Sequence, residues 1–404
     1  MTQASVVDLQ LPGTEAFTAL LADIGAGAKD RDLHDENPFD QVTRLTRAGF
    51  GTLRLPADFG GPGLSVRELF SAVIDVAHAD PIVAHIFRTH FWFVEERLRN
   101  RAHPVSQRWL REVAAGKLFG NAFSEKSSQA VGSLVFNTRL LPGDGGFYRL
   151  TGEKYYSTGT LFSDYLTVAA TTDHDSVVSV VIPTDRTGVR LVDDWDGFGQ
   201  RRTGTGTTTF ADVVVAADEI LVDTPYDAAP TQTVQYAALQ LYIHAVVAGI
   251  LADVVDDGAA LLRSRTRSFS HALADRPVDD PLHQQLLGEL ASTASIARAA
   301  VLDAADAIAA ADDSAVAGVP DAALAAAAQL KVAQVKVHLD AVAPVAASRL
   351  LELGGASAAS RQHNLDRHWR NIRTITLHNP VAHKARVIGE HLLHQTPLPA
   401  NAYF

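Results

Sequence analysis

The chain contains no cysteine, and this one absence removes disulfides, thiolate nucleophiles and cysteine-held metals together. Its one methionine is the initiator, which suits a protein that meets peroxide and equally suits a biased codon usage. Lysine is scarce, seven of the 35 basic residues, so cationic chemistry falls to arginine. That bias fits genome composition first and anion binding second. Positive charge is also short overall: a net charge of −11 excludes nucleic acid as the main partner, because the phosphate backbone is bound by cationic surfaces. Long apolar runs are missing too. The longest, Tyr236 to Ala252, contains Gln240 and His244 and meets Asp253 before it could span a bilayer. The first basic residue is Lys29, so the start lacks the charge of a secretory signal. A cytoplasmic location without membrane contact is expected.

Nucleotide motifs are wanting as well. "GAGAKD" at Gly25 follows a helical pattern rather than a strand, and "TGTGTTT" at Thr203 opens no helix. No Walker loop, HExxH or GxSxG occurs. Two stretches also lack carboxylates: none lies between Asp227 and Asp253, and none between Asp366 and Glu390. The second holds "WRNIRTITLHNPVAHK", where proton chemistry falls to His378, Asn379 or His383.

With 47% apolar and 20% charged residues over 404 positions, the chain is expected to fold as two or three packed units. Three textures follow one another. Residues 1–117 show helical apolar spacing, as in "VRELFSAVIDVAHA". Residues 118–227 turn to short β-branched runs such as "SVVSVVIPT" and "TTTFADVVV", parted by Gly, Asp and Pro. Residues 228–404 return to long Ala- and Leu-rich helices. One of these is expected to kink or break near Pro344 and to stop at Gly354 and Gly355 with a glycine in the left-handed cap. The Ala-rich 297–328 segment reads as helix.

Five stretches stand in order: "LPADFGGPGLS", "NAFSEKSSQ", "GEKYYSTGTLFSDYLTVAA", "GFGQRRTGTGTTTFADVVV", and "LELGG" followed by "DRHWRNIRT". Their series resembles the acyl-CoA dehydrogenase superfamily across nearly the whole chain. It is most similar to the branch of two-component, reduced-flavin-dependent monooxygenases that includes the dibenzothiophene monooxygenases. The resemblance implies an α+β multi-domain fold: an N-terminal helical domain, a central β-barrel-like domain and a C-terminal four-helix bundle. It also implies a homotetramer, FMN or FAD between the β domain and the bundle, and a separate NAD(P)H-flavin reductase that supplies reduced flavin by diffusion. O2 would add to form a C4a-hydroperoxide, whose oxygen passes to a small aromatic substrate at S, N or C.

A dehydrogenase of this superfamily needs a carboxylate base. The two places where the resemblance puts one hold Asn379 and the acid-free stretch before Asp253. An acyl-CoA dehydrogenase or oxidase is therefore the second reading. Oxygen transfer instead needs a proton donor near neutral pH and exclusion of water. The resemblance assigns that work to His378 and His90, with Thr158 and Asn121 beside the oxygen adduct. Thr158 stands where close relatives carry Ser, and it reads alternatively as a plain turn hydroxyl.

The resemblance further implies that Phe123, Ser124, Tyr156 and Asn379 line the flavin. It assigns the phosphate to Arg265, Arg267 or Arg370, with Gly354 and Gly355 near the cofactor. Phe91, Trp92 and Trp195 would meet substrate. Bland alternatives stand beside each: core for Tyr156, a solvated helix face for "RSRTRSF", a helix stop for the glycines, an interface ring for Trp195. A metal held by His391 with His394 or His383 lacks a matching acid or thiolate, and none is expected.

Overall fold

Local chemistry starts the N-terminal helices. The computed structural model describes residues 9–126, 136–174, 176–221, 234–316, 318–399 and 404. Seven helices come first: α1 Glu15–Ala26, α2 Ala28–His34, α3 Phe39–Arg47, α4 Val66–Ala79, α5 Pro81–Ile86, α6 Arg88–Arg99 and α7 Pro104–Ala114. Ser65 opens α4 with a reciprocal box: its hydroxyl accepts from the Glu68 N–H, and the Glu68 carboxylate accepts from the Ser65 N–H. Asp80 caps α5 through the N–H groups of Ile82 and Val83, and Pro81 fills the first turn, where no donor is needed. "GAGAKD" forms the junction of α1 and α2.

The strands are β1 Phe119–Ala122, β2 Arg139–Pro142, β3 Tyr148–Ser157, β4 Tyr165–Thr171, β5 Val177–Pro183, β6 Val189–Val192, β7 Gly206–Val215 and β8 Ile220–Leu221. They form one mixed sheet in the order β6-β7-β3-β2-β4-β5-β8. The parallel strand β1 shares an edge of β4 with β2, taking Tyr165 to Val168 and leaving Thr171 to β2. Among the described residues the path is open from β6 to β8 rather than closed on itself. β4 is buried on both faces beyond Tyr165, which is why it reads as a continuous apolar run rather than an alternating one.

Five helices complete the fold: α8 Val234–Ser264, α9 Pro281–Asp313, α10 Ala322–Leu350, α11 Asp366–Thr376 and α12 Val381–His394. α8 is long and apolar enough by composition to cross a membrane, but 72% of its apolar window is buried within the protein as the centre of the bundle. At Gly249 the neighbouring helix α4 comes so near that a Cβ would lie 2.5 Å from the Ala77 Cβ and 2.6 Å from the Ile74 carbonyl. Only glycine permits that crossing. α10 is not broken at Pro344. The proline removes one helical donor, yet buried Ala343, Ala346 and Ala347 hold both sides of it in the core. The helix runs out at Leu350 and passes through a 3-10 turn to Gly354; of the two glycines only Gly355 has a positive φ, of 58°.

A staple fixes α11 on α8. Arg367 lies 3.0 Å from Asp253 and 2.8 Å from Asp257, and His368 lies 2.9 Å from Asp257. Asp253, Asp257 and His368 are within ligand reach of one another, but the Arg367 guanidinium already bonds both acids. Burial alone would raise Asp257; the His368 hydrogen bond and the Arg367 charge instead hold its pKa down at about 2. A folded pKa below the usual 3.8 means that this support is present above about pH 4 and is lost as pH falls through about 2. Urea midpoints should therefore fall between pH 4 and 2 in the native chain. Asp257→Asn should lower the midpoint at pH 6 and flatten the acid fall, whereas an unchanged acid limb would remove Asp257 as its source.

Candidate active site

The segment "HIFRTH" at the α5–α6 join divides three side chains between two environments. His85 and Arg88 are three residues apart and share a face, while His90, five from His85, points to the far side. His90 is 1% exposed, and its ring is used up by main chain: Nε2 bonds the Gly51 carbonyl at 2.9 Å and Nδ1 accepts from the Phe119 N–H at 3.3 Å. Burial lowers its pKa to about 4. In this structure His90 ties the N-terminal helices to β1 through both ring nitrogens.

His85, on the same segment, faces the loop that carries Gln200. Its Nδ1 bonds Gln200 Oε1 at 2.8 Å. An amide oxygen only accepts, so Nδ1 carries the hydrogen and Nε2 is left as an acceptor, buried and without a partner among the described residues. Burial and the Arg88 charge push its pKa to about 4. Spacing alone carried a signal for it: a His three residues before an Arg on one helical face.

His378 follows α11 and meets this pair. The Arg88 Nη1 lies 3.4 Å from the His378 Nε2. A guanidinium only donates, so His378 Nε2 is the acceptor and the proton of the neutral ring sits on Nδ1. The side chain is exposed. Loss of hydration, then the charges of Arg88 and Lys336, drive its pKa well below 6.5. The site therefore pairs two neutral imidazoles with opposite faces, a lone pair on His85 and an N–H on His378.

Gln200 holds the site together. Its φ is +52°, uncommon for a side chain of this kind. Its N–H donates to Asn371 on α11 at 2.7 Å, its carbonyl accepts from the Thr203 hydroxyl at 2.9 Å, and its side chain orients His85. Strained backbone that is held from several sides is a mark of functional loops. The same loop can approach α11 because residue 199 is glycine: a Cβ there would lie 2.1 Å from the Arg370 carbonyl.

Thr158 follows β3 beside this loop, 9% exposed. Its hydroxyl lies 2.8 Å from that of Thr205, which lies 2.7 Å from that of Thr203. Its carbonyl accepts from Thr89 on α6. Tyr156, with φ of +58°, is 56% exposed rather than core, and it meets Trp195 edge to face at 5.9 Å. The Trp195 Nε1 donates to the Gly199 carbonyl at 3.2 Å. Asn121 on β1 has a buried Oδ1 without a partner among the described residues. Ser124 binds β3 through its carbonyl and the Tyr155 N–H, and Phe123 packs on Phe136 at 5.0 Å.

On the other side of Arg88, Phe91 and Trp92 line a narrow cavity of about 20 Å³ with Phe70, Tyr242 and Ile308, and Glu95 and Asp312 at its polar side. Asn379 turns its amide to Gln240 on α8 at 3.1 Å. Nearby, Lys336 reaches the Thr376 carbonyl and bonds Asp340 at 2.7 Å. Asp340 is thus an acid brought to this turn from α10, but it is tied in a buried ion pair.

The three arginines lie in different surroundings. Arg370 is saturated by Asp32, Asn364, Asp366 and the Phe198 carbonyl; it docks the 193–205 loop on α11 and is not free for phosphate. Arg265 lies past the end of α8 and donates to the Leu353 carbonyl, next to Gly354 and Gly355, while Arg267 is exposed. At about 1.5 Å per residue, that corner lies about 37 Å along α8 from Gln240. Within one chain, Arg265, Arg267, Gly354 and Gly355 do not join the cleft.

Residues 122–213 match the family model of the acyl-CoA dehydrogenase middle domain, and residues 241–383 that of the acyl-CoA dehydrogenase C-terminal domain. The chain is 29% identical to a dibenzothiophene monooxygenase of Mycolicibacterium goodii, over 92% of this chain and 91% of the relative. It is 28% identical to a probable FMNH2-dependent monooxygenase of Pseudomonas putida, over 92% and 93%. The crystal structure of TdsC from Paenibacillus sp. A11-2 with FMN and indole superposes with a TM-score of 0.87 at 29% identity, covering 96% of this chain and 99% of the other.

Proposed function

From a chain that belongs to the acyl-CoA dehydrogenase superfamily, with its middle and C-terminal domains, we propose a two-component flavin-dependent monooxygenase. It takes reduced FMN from a separate NAD(P)H-flavin reductase and uses O2 to oxygenate a small, flat heteroaromatic substrate. The carrying observation is the neutral His85–His378 pair in a cleft whose nearby acid, Asp340, is locked by Lys336. Asp340 would have to give up this ion pair through Oδ2 to act as the base that dehydrogenation requires.

The residues fit a flat, nitrogen-bearing ring. His85 Nε2, Gln200 Nε2 and Asn121 Oδ1 are buried polar atoms that await partners. Tyr156 and Trp195 supply apolar cover on the sheet side. Reduced flavin, when bound, supplies the electrons that activate O2. The chain supplies the rest: His378 holds a donor proton at Nδ1, Arg88 fixes that tautomer, and His85 offers an acceptor at Nε2. Phe91 and Trp92 back Arg88 from the helical side, and Trp195 over Tyr156 shields the cleft from water. FMN rather than FAD is favoured by the FMN-bound neighbour.

We also infer a homotetramer, because Arg265, Arg267, Gly354 and Gly355 can reach a flavin phosphate only across a subunit boundary. We further infer a cytoplasmic location, beside the reductase that would supply the reduced flavin.

The test is a reaction under ¹⁸O₂ with FMN, NADH, an unrelated flavin reductase, and dibenzothiophene or indole as probe. One labelled oxygen atom in the product is expected, and none without reductase. Bleaching of oxidised flavin by an acyl-CoA, with no reductase present, would replace this reading with a dehydrogenase.

A further inference from the structure

The hydroxyl chain at the end of β3 has a forced direction. The Gln200 carbonyl cannot donate, so the single proton of Thr203 goes to it. Thr205 must then donate to Thr203, and Thr158 must donate to Thr205. Each hydroxyl has one hydrogen, and all three are spent. Thr203 is fully buried and Thr205 is 9% exposed, so water does not readily reorient the chain. What remains at Thr158 is an oxygen that accepts.

We propose that Thr203 and Thr205 are positioning residues that make Thr158 an obligate acceptor and so select reduced over oxidised flavin. The inference rests on the monooxygenase reading, in which Thr158 meets the central ring of the flavin. Reduced isoalloxazine carries an N–H at N5; oxidised isoalloxazine carries only a lone pair there. An acceptor-only oxygen bonds the first and opposes the second. A two-component enzyme needs this preference, because it must capture a diffusing reduced flavin and release the oxidised one after each cycle. The Gln200 backbone, held at φ +52° by Asn371 and His85, anchors the chain and sets its polarity.

The experiment measures the Kd of FMN in air and of FMNH2 under anaerobic conditions for the whole chain, for Thr205→Val and for Thr205→Ser. Valine keeps the volume and frees the Thr158 proton, which then donates to oxidised N5. The ratio of oxidised to reduced Kd should fall about tenfold in Thr205→Val, chiefly through tighter FMN binding, the size of one hydrogen bond. Thr205→Ser should keep the native ratio. An unchanged ratio in Thr205→Val, or an equal shift in Thr205→Ser, overturns the polarity lock. If the native chain binds neither form, the flavin reading itself fails and the lock with it.

Discussion

His378→Ala should abolish oxygenated product, by about 10²- to 10⁴-fold, the usual worth of a positioned acid or base, while reduced FMN still binds. The expectation follows from where the proton sits. Arg88 donates to Nε2, so the neutral ring carries its hydrogen on Nδ1. Alanine removes it and leaves the Arg88 guanidinium facing the cleft. Reducing equivalents should then leave as hydrogen peroxide, so NADH use continues without product. The pH profile gives a second check. Loss of hydration and neighbouring cations hold His378 well below 6.5, so its ring is neutral across the ordinary imidazole range. Product formation should show no acid limb near pH 6.5. Normal yield from His378→Ala, or an acid limb at 6.5 that this variant removes, would assign the proton elsewhere.

Glu125→Ala should be strongly destabilising, costing about 3–5 kcal/mol, because it strands a buried charge. Lys154 is 0% exposed, its Nζ is 2.8 Å from Glu125 Oε1, and it lies over the Phe136 ring. The same carboxylate accepts from the Asn137 N–H, the Thr138 N–H and the Thr138 hydroxyl. Burial already lowers the Lys154 pKa to about 8 even with Glu125 beside it. Without the acid, three donors and a cation lose their partner at once. Urea unfolding at pH 7 measures the loss. Glu125→Ala with Lys154→Met should recover part of it, since removing both partners spares the stranded charge. A single variant within about 1 kcal/mol of the native chain would show that the charge finds water. The pair also joins the two sides of the site edge, between Phe123 and Ser124 just after β1 and Tyr155 and Tyr156 on β3. Its loss should weaken flavin binding as well.

Much of this protein was legible in its residues. The order of textures, helical then β-branched then Ala-rich, marks three segments because apolar periodicity is a local property of each face. Carboxylate-free stretches are countable, and they directed proton chemistry to His378 before any geometry was known. The five ordered stretches carried the superfamily, since turns and close approaches constrain sequence wherever they occur. Pro344 shows the limit: its missing donor is a local fact, but whether a helix survives depends on what packs around it.

The site divides along the same line. That a histidine, a threonine and arginines would work together follows from sequence. Which of them do so was decided by tertiary contact. His85 and His90 are near neighbours in the chain, about 140° apart around a helix, and one turns to Gln200 while the other is consumed by the backbone of Gly51 and Phe119. Arg370 looks like an anion ligand until Asp32, Asn364 and Asp366 surround it. Thr203 and Thr205 look like ordinary strand residues until their hydroxyls line up behind Thr158. A side chain's chemistry is set by composition, but its free lone pairs and protons are what remains after its neighbours have bonded, and those neighbours come from distant segments.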